Sequence, residues 1–317
     1  MLHGAAYVNI SESRISFNVG DGVNITYAGG VRNISESFIS SNKGFGVAVW
    51  LNLTTRRETF VREYWQEEVD YVSVPYNQET VVAYSEIFRN LETGIMVGNF
   101  CGNSFVNVSG NWFNTSVGHA VEIQSCWLNE KNRSRTLMTV QIGNNYFIEN
   151  QRLGIKMAPL VNAEAVIEYN YFTKHTYGTI LIRNGVNELL SRLFAKVTVR
   201  NNEFYDNSGV YVVNVGLSPY SETQKLLFSW NFVKNNRIQE PFQREGVISK
   251  LIPRSKVAAP VVVSSENTLV FRNIIQNHDS KYEIGSHLED QSLAINCTYN
   301  WLGYSSEDLF IYRLFHR

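Results

Sequence analysis

The stretch Thr139–Met157, TVQIGNNYFIENQRLGIKM, contains one complete copy of a pattern that recurs along nearly the whole chain. An alternating segment comes first, followed by an Asn-rich corner with a large apolar residue, a second Asn, a Gly and a second short alternating segment. Val140 and Ile142 alternate with polar residues and are predicted to face inward, together with the corner residue Phe147. We call the residue equivalent to Phe147 the anchor of each copy.

Ten anchors align along the chain, and the columns of residues around them are uniform. The anchors are Ile15, Ile39, Ile87, Phe113, Phe147, Phe172, Phe204, Val233, Ile275 and Leu302. Two residues before the anchor, every copy has Ser or Asn: Ser13, Ser37, Ser85, Asn111, Asn145, Asn170, Asn202, Asn231, Asn273 and Asn300. Five residues before it, every copy is apolar: Ile10, Ile34, Val82, Val108, Ile142, Ile167, Val199, Phe228, Val270 and Cys297. Three residues after it, the chain has Asn18, Asn42, Asn90, Ser116, Asn150, His175, Asn207, Asn236 and His278.

The interval between anchors is mostly 24 to 34 residues, with two longer intervals of 48 and 42. Short strands joined by Asn and Gly corners at such a period are typical of a β solenoid, in which each repeat buries its face against its neighbours. We therefore predict an all-β fold, a single-stranded right-handed parallel β-helix of about ten coils. Stacked Asn side chains should form hydrogen-bonded ladders, with His175 and His278 as ladder members rather than catalytic residues.

The predicted domain organisation is a solenoid over residues 1–303 and a cap over residues 304–317. The repeat lapses near 54–80 and 239–255, which we interpret as long loops that either bind a partner or pack on the side of the solenoid. Residues 305–317 have helix-like spacing after a Ser-Ser-Glu-Asp start. This predicts a short C-terminal helical cap over the open end of the solenoid.

Composition excludes several classes of function. The chain is 44% hydrophobic and 18% charged with a net charge of -1, so it can bury a core but lacks the basic footprint of a nucleic-acid-binding protein. No apolar run reaches the roughly 18 residues that span a bilayer. The N-terminus, MLHGAAYVNISES, lacks the features of a signal peptide, which indicates either a cytosolic protein or part of a longer secreted one. The Asn pattern favours the second.

The three cysteines, Cys101, Cys126 and Cys297, do not have the spacing of a metal site, and no cofactor is predicted. Cys101 and Cys126 lie about one repeat apart. They are interpreted either as a disulfide between neighbouring coils or as two unrelated thiols. Cys297 stands in the inward column and is predicted to be a buried free thiol.

Eight Asn-x-Ser/Thr sequons are glycosylation candidates: Asn9, Asn24, Asn33, Asn52, Asn107, Asn114, Asn132 and Asn296. Four of them precede an anchor by six residues, so strand alternation turns them outward, where a glycan would clear the core. The alternative is that the sequons recur simply because the repeats are copies of one another.

A second outward column directly precedes the anchors and is rich in aromatic residues: Phe38, Trp112, Tyr146, Tyr171, Phe232 and Trp301. These rings form a candidate platform for sugar rings or for a partner protein. The alternatives are that they lie beneath the insertions or stack on one another along the sheet.

Catalysis on polysaccharides would need carboxylates that converge on one face of the solenoid. Glu86 and Glu203 share a column but lie several coils apart, and the sequence has no paired-Asp motif. We assign no catalytic residue and favour a non-catalytic protein. The alternatives are a secreted polysaccharide lyase or hydrolase and a glycan-binding solenoid.

The C-terminal segment carries a family resemblance. Residues 294–303, AINCTYNWLG, followed by residues 311–315, IYRLF, resemble the Asn-Ala-Thr-x-Asn-Trp-Trp-Gly and Arg-Ile-Phe sequences that close β-helix blocks in the bark beetle (Anakonda) family. Leu302 replaces the second Trp and Cys297 replaces the Ala. Members of that family are large animal cell-surface proteins of tricellular junctions.

The resemblance implies that this chain corresponds to part of an extracellular, glycosylated ectodomain that acts in cell adhesion or junction assembly. Its implied partners are other extracellular or junction proteins, with glycans as a second class. The flanking CUB, scavenger-receptor cysteine-rich and lectin-like modules and the membrane span of that family are not found in this sequence.

Overall fold

The computed structural model describes residues 2–3, 7–27, 30–51, 54–62, 65–73, 78–100, 104–125, 137–160, 162–184, 193–219, 221–239, 257–288, 293–303 and 312–315. Within these ranges the regular structure is entirely β, and most strands belong to three large parallel sheets. We number the strands in chain order and call the three sheets the first, second and third sheet.

Each sheet is built from one strand of every coil. The first sheet contains β1 (Leu2–His3), β4 (Val23–Tyr27), β7 (Val47–Leu51), β12 (Ile95–Phe100), β15 (Val121–Ser125), β18 (Ile155–Met157), β21 (Ile180–Arg183), β25 (Val213–Gly216), β29 (Val261–Val263), β32 (Ile284–Ser286) and β33 (Leu314–Phe315). The second contains β2 (Tyr7–Ser11), β5 (Gly30–Ser35), β10 (Gln78–Ala83), β13 (Ser104–Ser109), β16 (Met138–Gly143), β19 (Ala163–Glu168), β22 (Ala195–Arg200), β26 (Gln224–Ser229) and β30 (Thr268–Phe271). The third contains β3 (Arg14–Ser16), β6 (Phe38–Ser40), β11 (Glu86–Phe88), β14 (Trp112–Asn114), β17 (Tyr146–Ile148), β20 (Tyr171–Thr173), β23 (Glu203–Tyr205), β27 (Phe232–Lys234) and β31 (Ile274–Gln276).

The chain visits the second, third and first sheets in turn, and each strand pairs in parallel with the equivalent strand of the next coil. This topology confirms the predicted parallel β-helix. Isolated parallel bridges from Leu269 to Asn296 and from Ile274 to Trp301 add a tenth coil to the second and third sheets. One further short parallel pair joins β24 (Ser208–Gly209) to β28 (Arg237–Ile238).

The anchors form a continuous buried stack inside the solenoid. Phe147 is the register partner of Phe113 in β14 and of Phe172 in β20. Both neighbours are stacked on it, with ring centroids 4.9 Å and 4.6 Å away, and all three side chains are fully buried. The apolar column five residues earlier pairs in the same way along the second sheet. The predicted inward columns are therefore confirmed.

Two side-chain ladders run along the corners on either side of the third sheet. In the first ladder, Asn170 accepts hydrogen bonds from the backbone N–H and Nδ2 of Asn145 at 3.0 and 2.9 Å. Asn170 in turn donates its own N–H and Nδ2 to Asn202 Oδ1, both at 3.0 Å. Each ladder amide thus satisfies buried donors of the preceding coil.

The last member of the second ladder is not the residue that the sequence predicted. Asn236 donates to Asn277 Oδ1, at 2.8 Å from its N–H and 3.0 Å from Nδ2, so Asn277 occupies the position predicted for His278. His278 is exposed in the following turn and the prediction for it is wrong. The shift by one residue brings Asn277 against the Glu283 carboxylate, which accepts from its N–H at 2.8 Å and from its Nδ2 at 2.7 Å. Arg313 also donates to this carboxylate and closes the ladder.

The left-handed backbone at the corners falls on the residues directly before the ladder positions and not on the ladder residues themselves. These preceding residues have positive φ, for example Tyr169 at 56° and Trp230 at 58°. Their side chains are exposed, whereas the ladder residues behind them are buried. The corner therefore needs a strained residue followed by a hydrogen-bonding one, and the second is Asn or Ser in most copies, with His175 as an exception.

Two further expectations need correction. Residues 54–73, predicted as part of a long loop, include the antiparallel strands β8 (Thr54–Arg62) and β9 (Trp65–Ser73). In the predicted helical cap, residues 312–315 form a turn followed by β33, which pairs with β32 and extends the first sheet, because the chain continues the solenoid pairing instead of crossing it. The rest of that cap and most of the insertion near 239–255 lie outside the described residues.

Candidate functional site

The outer face of the third sheet is the most distinctive surface of the described chain. The register places the six aromatic residues predicted to point outward in one column: Phe38, Trp112, Tyr146, Tyr171, Phe232 and Trp301. Five of them are exposed and Tyr171 is half-buried. Exposed aromatic groups in such numbers mark an interaction surface more often than a plain protein exterior.

Sequence reasoning missed a second set of aromatic residues on the same face. They occupy the positive-φ corner position, three residues before the anchor: Tyr84, Tyr169, Trp230 and Tyr299. Their exposed fractions are 70%, 56%, 51% and 79%, which exceed those of the predicted column. Reading the column three residues before the anchors would have revealed them, but that column is chemically mixed and looks uninformative in sequence.

The outward rings of the middle coils lie next to one another along the solenoid. Trp112 and Tyr146 are stacked with centroids 5.0 Å apart, and Tyr171 follows at 6.1 Å from Tyr146. Tyr205 continues the series at 6.2 Å from Tyr171. We call these four rings the outer ring stack. The Trp112 and Tyr146 planes lie within 25° of each other, whereas the Tyr146–Tyr171 and Tyr171–Tyr205 pairs are tilted by 51° and 32°. Because Trp112 and Tyr146 cover part of each other's faces, less ring face is left there for a flat-lying sugar.

A second cluster occupies the last three coils, and we call it the C-terminal aromatic patch. It consists of Trp230, Phe232, Phe271, Arg272, Ile274, Tyr299 and Trp301. The Arg272 guanidinium carbon lies 5.1 Å from the Trp230 ring centroid and 4.7 Å from that of Phe271, a cation–π geometry. Phe271 meets Tyr299 edge to face at 5.5 Å. These contacts hold an arginine and several large rings in fixed positions at the surface.

A group of titratable residues lies on the outer side of the first sheet. Lys156 Nζ lies 2.7 Å from Glu122 Oε1, which also accepts from Gln124 at 2.8 Å. Burial acts to raise the pKa of Glu122, but the hydrogen bond and charge of Lys156 outweigh it and lower the pKa. Burial lowers the pKa of nearby His119 to about 4, and its Nδ1 accepts from the Leu153 N–H at 3.3 Å. A neutral histidine and an ion-paired carboxylate in this arrangement cross-link adjacent coils.

The remaining acidic residues considered from sequence do not converge. Glu86 and Glu203 share the outward column of the third sheet, separated by Trp112, Tyr146 and Tyr171. Asp21 binds the Phe45 N–H at 2.9 Å and Asn24 Nδ2 at 2.6 Å, which is a corner contact. Across the described ranges, no group of three or more His, Cys, Asp or Glu could hold a metal ion.

Of the three cysteines, Cys297 lies among the described residues. Cys297 is a free, half-buried thiol, and burial raises its pKa to about 12. Cys101 and Cys126 lie outside the described residues, so their pairing stays a prediction. The residues directly before them, Phe100 and Ser125, are register partners on β12 and β15.

Six of the eight sequons fall on described residues, and Asn52 and Asn132 do not. Asn9 and Asn296 are exposed, whereas Asn24, Asn33, Asn107 and Asn114 are half-buried. Within the described ranges, no helix is long and apolar enough to cross a membrane.

Three stacked parallel sheets, internal Asn ladders and an aromatic outer face define a parallel β-helix solenoid. No family model matches the chain. Protein bark beetle of Drosophila melanogaster is 47% identical over 324 residues, which cover 99% of this chain and 10% of that protein. This chain is therefore a homologue of Protein bark beetle, and the family resemblance of its C-terminal segment is confirmed. It spans about a tenth of the length of that relative.

Among solved structures, the alignment with the Agl-KA catalytic domain covers 95% of this chain and 60% of the Agl-KA chain. The sequence identity is 11% and the TM-score is 0.26. A likeness at this level supports no conclusion about fold or activity.

Proposed function

We propose that this chain is a non-catalytic, extracellular part of a cell-surface protein that acts in cell adhesion or junction assembly. The observation that carries the proposal is the homology with Protein bark beetle over 99% of the chain. A rigid solenoid suits such a role, since it can display a fixed surface at a distance from its attachment points.

The C-terminal aromatic patch is the surface that we propose for partner binding. Trp, Tyr and Arg are the residues that most often dominate the energy of protein–protein interfaces. Trp230, Tyr299 and Trp301 combine large exposed rings with an arginine that is already held in place, so little side-chain entropy is lost on binding. Arg272 covers one face of Trp230, which favours a protein partner over a flat-stacking sugar.

A cell-overlay experiment tests both parts of the proposal. The purified chain, made multivalent by fusion to a dimeric tag, is applied to unpermeabilised epithelial sheets, and bound protein is imaged and quantified. We expect binding concentrated where three cells meet. Uniform or absent surface binding would contradict a junction role.

Substitutions in the patch then locate the binding surface. Trp301→Ala and Tyr299→Ala should each weaken binding by about 30-fold, the effect of losing an interface residue worth roughly 2 kcal/mol. Phe17→Ala is the matched control, because Phe17 is 76% exposed at a corner of the first coil, far along the chain from the patch. Equal binding by the patch variants and the control would exclude the patch as the docking surface.

A further inference from the structure

The described sequon asparagines differ in what their side-chain amides already bind. We propose that Asn296 carries an N-linked oligosaccharide and is the preferred modification site among them. This inference rests on the proposed extracellular location, because only a chain that enters the secretory pathway meets the transferase.

At Asn296 the sequon is folded in a way that leaves the amide nitrogen available. Asn296 Oδ1 accepts hydrogen bonds from the Thr298 backbone N–H at 3.2 Å and from Thr298 Oγ1 at 2.9 Å. The carbonyl side of the planar amide therefore faces back toward Thr298, and Nδ2 points the other way. Nδ2 makes no hydrogen bond within the described residues, and the side chain is exposed.

Asn296 and Asn107 also differ in their surroundings within the second sheet. The backbone of Asn296 makes an isolated bridge to Leu269 in the preceding coil, and its side chain is exposed. Asn107, by contrast, lies in the middle of the second sheet between Val81 and Gln141 and is half-buried. A bulky oligosaccharide at Asn107 would have to clear outward side chains on both neighbouring coils.

Among the other described sequons, Asn24 and Asn33 use their amide nitrogens in hydrogen bonds of the fold, and the remaining ones differ from Asn296 in burial or in the partner of the carbonyl oxygen. Asn24 donates Nδ2 to Asp21 Oδ2 at 2.6 Å, and Asn33 donates Nδ2 to Asn9 Oδ1 at 2.9 Å. Asn114 is half-buried between Phe88 and Ile148 in the third sheet. Asn9 is exposed, but its carbonyl oxygen is bound by Asn33 instead of by its own sequon hydroxyl.

The modification joins Asn296 Nδ2 to C1 of a sugar that is carried on a lipid diphosphate. The C1–O bond breaks, the lipid diphosphate leaves with the bonding electrons, and one proton is lost from the nitrogen. The product keeps one N–H and adds a large hydrophilic group, which requires exposure of the site.

The test is to express the chain behind a secretory leader in animal cells, so that it meets the transferase whatever its native location. Glycans are removed enzymatically in heavy-oxygen water, and peptide mass spectrometry then reads the occupancy of each sequon from the Asn-to-Asp label. We expect Asn296 to be modified in most molecules. Asn24, Asn33, Asn107 and Asn114 should be labelled in only a small minority.

Matched variants test whether the glycan is attached through the Asn296 sequon. Asn296→Gln and Thr298→Ala should each remove one glycan from the secreted protein, whereas Thr298→Ser should keep it. An unmodified Asn296, or higher occupancy at Asn107 than at Asn296, would overturn the inference. The proposed function fails separately, if surface labelling of cells that naturally make the protein does not detect it outside.

Discussion

Tyr169 and Asn170 are adjacent in sequence but have opposite effects on the stability of one corner. Tyr169 adopts a φ of 56° with its ring exposed, a conformation that costs an L-residue about 1–2 kcal/mol. Asn170 is buried, accepts two hydrogen bonds from Asn145 and donates to Asn202. The ladder contacts thus compensate for strain that is located in the preceding residue.

A pair of glycine substitutions separates these two contributions. Tyr169→Gly should change the free energy of unfolding by less than about 1 kcal/mol, since relief of strain offsets the greater entropy of the unfolded chain. Asn170→Gly should cost about 2–5 kcal/mol, because it leaves buried donors of Asn145 without an acceptor. Urea denaturation of both variants measures the difference. Equal losses of unfolding free energy for the two variants would mean that the Asn170 side chain contributes no more to stability than the Tyr169 side chain does.

His175 stands in the second ladder where most copies have Asn. Its N–H donates to Asn207 Oδ1 at 3.0 Å, and its ring is fully buried. Burial lowers the pKa of His175 from 6.5 to about 4, so the folded protein holds a neutral imidazole at neutral pH. Between these two pKa values the unfolded chain binds a proton that the folded chain does not, so stability falls as pH decreases.

We expect His175→Asn to reduce this acid sensitivity. The shift from 6.5 to about 4 corresponds to a loss on the order of 3 kcal/mol as pH falls through that window. Asn fits the ladder chemistry and does not titrate, so the variant should lose less stability between pH 7 and pH 4. Residual sensitivity should come from His119. Unfolding free energies of the variant and of the unmodified chain, measured across this range, give the two slopes, and equal slopes would contradict the expectation.

Within a single strand of the third sheet, adjacent residues have different roles. In β17, Phe147 stacks inside the solenoid between Phe113 and Phe172, and Tyr146 lies in the outer ring stack and is 48% exposed. A strand of three residues therefore contributes both to the core and to the surface. The alternation of side chains across the strand is the physical cause.

Alanine substitutions in β17 should reveal this division. Phe147→Ala should reduce the free energy of unfolding by about 3–5 kcal/mol, because it removes a large buried ring and leaves a cavity in the stack. Tyr146→Ala, at the adjacent position, should cost less than about 1.5 kcal/mol, the worth of an aromatic contact. Chemical denaturation provides the comparison. A larger loss for Tyr146→Ala would indicate that the outer ring stack, rather than the core, stabilises this coil.

The solenoid as a whole is a series of equivalent coils, in which each coil contacts mainly its two neighbours. Asn145 and Asn170 are separated by 25 residues and occupy the same ladder position in successive coils. Phe113 and Phe172 both pair with Phe147, and they would become direct partners if the intervening coil were absent. One coil can therefore be removed without changing the register of the rest.

Deletion of residues 145–169 should yield a folded, strand-rich protein with a single, moderately destabilised unfolding transition. Deletion of residues 145–170 is the matched control, because one additional residue reverses the inward and outward faces of the following strand. We expect the control to aggregate or to lose cooperative unfolding. Circular dichroism with thermal melts compares the two proteins, and similar behaviour of both would argue against register as the determinant of the fold.

The inward columns, both ladders up to Asn236 and the number of coils could all be read from the sequence. Each depends on a chemical restriction that repeats: an apolar residue such as Ile142 is required inside, and Asn145 or its equivalents must satisfy buried donors. The position of Asn277 could not be predicted, because the last corner is one residue shorter and the Glu283 carboxylate replaces the next amide. The exposed corner aromatics could not be recognised as a column in the sequence, because acidic, basic, amide and aromatic residues and a glycine share that position.

Sequence alone was sufficient for the fold, because a β-helix is stabilised by contacts between equivalent positions, so the pattern of one coil contains the pairing rule for all of them. The surface is different. The repeat places Trp230, Arg272 and Tyr299 at equivalent positions of successive coils, but the ring orientations and distances within the patch depend on side-chain conformation. Whether Asn296 or Asn24 has a free amide depends on the local side-chain hydrogen bonds of each asparagine. The repeat pattern does not specify side-chain conformation, so only the three-dimensional structure could establish these features.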